Sequence, residues 1–190
     1  MDRRIVNLGC LIAMSAGMGE ARETAIDITR STVTVHVGKA GLFSAAGHEH
    51  WIDAPIASGV VDDAETRVEF RVETARMQVK PDPKIDAATQ AEIQKDMQEM
   101  ALESARYPEI EFRSTRVEKR ADGTWSVTGT LSLHGVTRPV TVAVQRQNGA
   151  YQGRALLRQS EFGIKPIRAA GGLVKVKDEL EINFRVVTRP

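Results

Sequence analysis

Between Trp125 and His134 the chain alternates without a slip. Trp125, Val127, Gly129, Leu131 and Leu133 share one parity, and Ser126, Thr128, Thr130, Ser132 and His134 share the other. A period of two over ten residues predicts a half-buried β-strand. His134-Gly135 interrupts the run, and the pattern resumes on Val136, Val140, Val142 and Val144. Gly135 can take the positive φ of a tight turn. Pro139 has no N–H for a ladder, so the second strand begins there, is bulged there or lies at an edge there. Upstream, Ile110 and Phe112 alternate with Glu109, Glu111 and Arg113, and Asp122-Gly123 marks the intervening hairpin.

The same reading extends along the chain. Strands are expected over 26–37, 42–52, 55–61 and 66–79, then over 150–164 after the Asn148-Gly149 turn, and finally across Leu180, Ile182, Phe184 and Val186. One segment changes period. From Asp86 to Ser104 the apolar residues Ile93, Met97, Met100 and Ala101 fall on one helical face, bounded by Pro81-Asp82-Pro83 and Tyr107-Pro108. The charged face of that helix, Glu92, Lys95, Asp96 and Glu99, reads as solvated. Eight or nine antiparallel strands with one helical excursion (about 86–104) predict a mainly β chain folded as a sandwich or barrel. Eight strands can close around packed side chains or around one small ligand, and pattern alone leaves both open.

Composition narrows the function classes. The chain has 190 residues, 42% hydrophobic and 27% charged, with a net charge of +1. This fits a single domain with a sizeable core and gives no electrostatic footprint for nucleic acid. The N-terminal segment carries Arg3 and Arg4, an apolar run from Ile5 to Met18, and Gly19-Glu20-Ala21. It reads as a signal peptide over 1–21, followed by one domain over 22–190, and the run is too short to anchor the chain stably across a membrane. Lipoprotein attachment through Cys10 and twin-arginine export remain alternatives. Cleavage after Ala21 would remove Cys10, the single cysteine, and with it any disulfide or thiol nucleophile.

Five phrases then fall in a recognisable order: STVTVHVGKAG, ESARYPEIEFRSTRV, GTLSLHGVTRPVTV, LRQSEFGI and VKDELEINF. In these the chain resembles the YceI-like family of bacterial polyisoprenoid-binding proteins, from Ile26 to Val187. The resemblance implies an extended antiparallel, eight-stranded, lipocalin-like barrel with a helix near its mouth. It also implies a periplasmic or secreted protein that binds a lipid or polyisoprenoid without catalysis. Lys39 stands where many members carry a histidine, and Ala45-Ala46-Gly47-His48-Glu49-His50-Trp51 replaces a more apolar turn. The chain thus resembles a distinct subgroup with a Gly-His-Glu-His segment.

Candidate sites follow from parity and chemistry. Phe70, Phe112, Trp125, Leu131, Val142, Leu156 and Phe162 either fill a core or line a ligand cavity. Lys39, Arg138, Arg158 and Arg168 are candidates for an anionic head group, or are solvated surface charges. His48 and His50 share a face if that segment is a strand, and His134 could join them around zinc or copper, which makes a metal-binding barrel an alternative. A ligand-free interaction module is a third reading. No nucleophile elbow, phosphate loop or paired-carboxylate motif is present, so neither catalysis nor a cofactor is expected. The expected partner is a hydrophobic small molecule, and a homodimer is an open arrangement.

Overall fold

A computed structural model describes residues 23–40, 49–62, 66–169 and 174–190. The expected signal peptide and most of the expected 42–52 strand lie outside these residues. Among the described residues twelve strands are formed: β1 (Glu23–Ala25), β2 (Thr32–Ala40), β3 (His50–Asp53), β4 (Ile56–Asp62), β5 (Val68–Glu73), β6 (Gln78–Val79), β7 (Glu109–Lys119), β8 (Trp125–Leu133), β9 (Val136–Gln147), β10 (Ala150–Arg158), β11 (Arg168–Ala169) and β12 (Val174–Val186). The strands with six or more residues lie side by side as β4-β5-β7-β8-β9-β10-β12-β2. All pairings are antiparallel. Eight of the expected strands form the wall; of the one expected over 42–52 the described residues show its end as part of β3, and the short β1, β6 and β11 are additions.

The wall closes through a bend. β3 and β4 are one segment interrupted at Ala54-Pro55, where proline can offer no ladder N–H. Before the bend β3 pairs β2, and after it β4 pairs β5. Ala54 N–H still donates to Val33 O at 2.9 Å, so the bend stays fastened to β2. Past the bend β1 fills the gap, pairing β4 on one side and bonding Thr188 and its neighbours on the other. Asp27 N–H donates to Val187 O at 2.7 Å, and Arg189 N–H to Ala25 O at 2.9 Å.

The 66–79 segment is not one strand. It turns at a 3₁₀ turn, Thr74–Arg76, where Thr74 is buried, its N–H bonded to Pro108 O and its hydroxyl to Tyr107 O. The Pro139 end of β9 pairs only β8, because β10 pairs β9 only as far as Arg154↔Ala143. Proline thus sits on an unpaired flank, the edge condition read from the sequence. The expected 150–164 strand stops at Arg158, and a 3₁₀ turn over Gln159–Phe162 follows, buried through Gln159 and Phe162.

The helix α1 (Ala87–Asp96) begins on Asp86, whose carboxylate accepts from Ala88 N–H and Thr89 N–H, each at 3.0 Å. It runs into a π-helical turn, Met97–Ala101, closed by Leu102 N–H to Met97 O at 2.9 Å. The wider turn shifts the phase of the apolar stripe. Met97 is buried as expected, but Met100 is turned outward and is 62% exposed.

Candidate functional site

The inward parity of the long strands is mostly apolar, and together these side chains line a cavity of about 640 Å³. It follows the whole of β8, whose inward positions from Trp125 to Leu133 cover about 26 Å of strand at ~3.3 Å per residue. Its two halves differ in chemistry. One half holds Phe70, Phe112, Trp125, Tyr151 and Phe184. The half beneath the helix is aliphatic, with Val37, Ile52, Val72, Met97, Leu133 and Leu180 among its walls.

The aromatic half is built by register. Phe70 and Phe112 are direct partners on β5 and β7, and their rings stack at 5.5 Å. Trp125 meets Tyr151 edge-on at 5.9 Å. Arg67 borders this end, held by Glu23 and Glu69 at 2.8 Å each.

The helix end is closed differently. No residue of α1 is buried, although Ile93 borders the cavity. Three glutamines spaced by four residues tie the helix down instead. Gln94 accepts from Val79 N–H at 2.8 Å and donates to Met77 O at 3.0 Å. Gln98 donates to Thr74 O and Met77 O, both at 3.0 Å, and accepts from the Ser104 hydroxyl. Gln90 donates to Val79 O and Lys80 O. β6 pairs only β3, so these amides satisfy backbone groups on its otherwise unpaired flank. At this mouth Thr89, Glu92 and Asp96 of α1 share the rim with Lys39 and His50.

The candidate residues separate cleanly. Phe70, Phe112, Trp125, Leu131 and Val142 all border the cavity. Leu156 does not: it is 54% exposed, and its partner on β12 is Glu181. The inward residue is Leu157, paired with Leu180. Phe162 is 1% exposed but is packed in the core beside β9 rather than on the cavity surface.

Of the cationic candidates, Lys39 is at the mouth. Arg138 is exposed and donates from Nε to Glu161 O at 3.2 Å, although its register partner Leu131 borders the cavity, and Arg158 is exposed opposite Glu179 on β12. The backbone of Arg168 pairs Lys175. The charge pattern predicts a solvated face for Glu92 and Asp96, yet both border the mouth. Tyr151 and Phe184 are further wall residues, legible from parity alone.

Among the described residues the histidines do not assemble. His50 borders the mouth, and His48 lies outside the described residues. His134 sits at a turn with φ 51°, against the Tyr107 ring at 4.2 Å. Its Nε2 is 3.1 Å from Glu103 Oε2, without the alignment of a hydrogen bond. Among the described residues no three His, Cys, Asp or Glu side chains converge as a metal would require.

The protein is a curled antiparallel barrel with a helix across one end and an apolar bore, and its sequence matches one family. The YceI-like domain model matches residues 25–188. The chain belongs to the YceI-like family. A UPF0312 protein of Pseudomonas savastanoi is 38% identical over 98 residues, 46% of this chain and 49% of the relative, so the chain spans about half the length of that relative at this level. A UPF0312 protein of Vibrio parahaemolyticus is 23% identical over 95% of this chain and 98% of its own length. Two solved structures share the fold. A polyisoprenoid-binding domain from Saccharophagus degradans superposes with TM-score 0.64 at 14% identity, covering 88% of this chain and 97% of its own. BcnA of Burkholderia cenocepacia gives 0.59 at 19% identity, covering 85% and 98%.

Proposed function

We propose that this YceI-like protein is a non-catalytic carrier that holds one lipid or polyisoprenoid-type amphiphile in its bore. The observation that carries the reading is the continuous apolar cavity of about 640 Å³. At about 30 Å³ per water-sized group, 640 Å³ holds on the order of twenty non-hydrogen atoms. That matches a single apolar chain better than a two-chain lipid. Each methylene removed from water contributes ~0.8 kcal/mol, so such a chain is held by area and shape without a specific polar contact. The polyisoprenoid binding named for the Saccharophagus domain supports the same reading.

The polar end of the ligand lies at the helix mouth, where Lys39, His50, Thr89, Glu92 and Asp96 border the cavity. Both signs of charge meet there, so the mouth favours a neutral or zwitterionic head over a strongly anionic one. The carrier works in the periplasm or outside the cell after loss of residues 1–21.

Native mass spectrometry of the protein purified from its own membrane-containing host tests the proposal. An apolar adduct with the mass of a single-chain lipid is expected. Absence of any adduct, together with no uptake of a long-chain alcohol added in detergent-free buffer, would sink it.

A further inference from the structure

Beyond its π-helical turn the chain returns to the wall through a short turn over 103–107, and that turn rests on the tip of the β8–β9 hairpin. Glu103 O accepts from Arg106 N–H at 2.8 Å and from Tyr107 N–H at 2.9 Å. The Tyr107 ring lies 4.2 Å from the His134 ring, and a Cβ on Gly135 would fall 2.7 Å from a Tyr107 ring carbon. Among the described residues three that are not glycine have positive φ: Glu103 at 44°, His134 at 51° and Asn148 at 51°. Asparagine and histidine tolerate that region, whereas glutamate visits it rarely. Glu103 and His134 are also the two that meet, with His134 Nε2 3.1 Å from Glu103 Oε2. Uncommon backbone conformations persist where the surroundings fix them, and here two of them converge on one side-chain contact.

That contact is incomplete. His134 Nε2 is buried and has no hydrogen-bond partner. A neutral imidazole has one N–H, which either ring nitrogen can carry, but an imidazolium carries both, so Nε2 must then donate. A small realignment toward Glu103 would make a charge-assisted bond, stronger than a neutral one. The other ionisable groups on the packed elements are engaged. Arg106 Nη1 is 4.0 Å from the same Glu103 oxygen, and its guanidinium lies 5.1 Å from the Tyr107 ring centre. Glu109 at the start of β7 pairs Arg71 at 3.9 Å. On the third side a Cβ on Gly163 would fall 3.7 Å from His134 Nδ1, and just before it Glu161 gives its carbonyl to Arg138 of β9. Between about pH 5.5 and 7.5 arginine and carboxylate keep their charge and tyrosine stays neutral, so the imidazole is the group that changes.

We propose that His134 and Glu103 form a pH-sensitive latch that fastens the root of the helical segment over the bore. The inference rests on the carrier function above and adds its regulation. Met97, Ala101 and Leu102, which lead directly into Glu103, border the cavity. A root that is held tightly keeps these side chains over the aliphatic half, and a looser root lets them part from it. In mild acid the latch closes and slows ligand exchange, and as pH rises through the neutral range it opens. It acts at the opposite end of the helical segment from the Asp86 cap.

The test follows release of a neutral pyrene-labelled long-chain alcohol from the loaded protein into phosphatidylcholine vesicles, neither of which changes charge in this range. Wild-type release should be about five-fold slower near pH 5.5 than near pH 7.5, the ratio expected when a neutral hydrogen bond becomes one to a charged group. His134→Asn keeps a residue that accepts the positive φ of the turn and removes the titration, so its release should be flat with pH. Glu103→Gln should flatten it as well. Hydrogen-exchange protection, corrected for intrinsic pH dependence, reads the latch without a ligand. The amides of Leu102, Ser104, Arg106 and Tyr107, all bonded within this segment, should gain about five-fold protection in mild acid in wild type and none in His134→Asn. If wild type binds the probe and its release ignores pH, or if both folded variants keep the wild-type pH dependence, the latch is overturned while the carrier function stands. If wild type takes up no probe, the carrier function fails, and the protection factors alone decide whether the latch exists.

Discussion

The two ends of the bore are made rigid to different degrees, and by different chemistry. At the aromatic end Phe112 and Trp125 are buried, interlocked with strand partners and with each other's neighbours. At the other end α1 buries none of its residues and is fastened by the side-chain amides of Gln90, Gln94 and Gln98. Removing a packed ring leaves a void that water fills poorly. Opening an amide tether exposes groups that water satisfies almost as well. The shape-determining half of the bore is thus tied to global stability, and the entrance half to local stability. One barrel can keep a fixed width and still have a low-cost way in.

Phe112→Ala attacks the contrast most strongly. It should cost about 3 kcal/mol of global stability, read from the urea midpoint, because it removes a buried ring together with its contacts to Gly129 and Phe70. A loss below about 1 kcal/mol would mean that the aromatic half is not what holds the wall. Gln98→Ala comes next. It strips the side-chain donor shared by Thr74 O and Met77 O, each of which keeps another donor, for a local cost of about 0.5–1.5 kcal/mol. Amide exchange should speed up over residues 87–101 and stay unchanged in β8. Acceleration spread evenly over both regions would erase the distinction.

Asp86→Ala should remove about 1 kcal/mol of helix stability by loss of the N-cap, visible as faster exchange in the first turn of α1. Acid should do the same more gently. Hydrogen bonds from Thr89 N–H and the Thr89 hydroxyl, then from Ala88 N–H, hold the Asp86 carboxyl below its ordinary value. A depressed carboxylate pKa adds stability that is complete above the unfolded value of about 3.9 and is lost as pH falls through the folded value. The start of α1 should therefore loosen below about pH 4 while β8 keeps its protection. Simultaneous loss in both would show that the helix has no independent stability.

The wall of the barrel was readable because its signal is local. Strict alternation over β8 and β12 needs only one buried face. Parity fails where two apolar residues are adjacent. Leu156 and Leu157 both suit a core, and only pairing with Glu181 and Leu180 on a strand more than twenty residues away decides which faces inward. Phe162 was misplaced for a related reason: a strand was extended into a 3₁₀ turn whose burial is tertiary. The helix was visible, but its phase at Met100 depended on a π-helical turn that has no sequence period of its own. The glutamine tether was spelled out at positions 90, 94 and 98, yet glutamines at that spacing on a helix usually mean a solvated face. The unpaired flank of β6 is what gives them a partner. The spacing of His48 and His50 carries no information on a third ligand, and His48 lies outside the described residues.

The pairing of β2 with β12 sets an order of events. β2 has β3 as a neighbour close in sequence on one side, but on the other Thr32 pairs Arg185, so its second neighbour is the last strand. That contact closes a loop of nearly the whole domain, and such non-local pairings delay folding more than they alter final stability. A chain emerging from the ribosome can form the β7-β8-β9 meander early, but it has no interior until its last strand is available. The cavity is therefore a property of the finished chain only, and a ligand can be captured during closure or after it but never before.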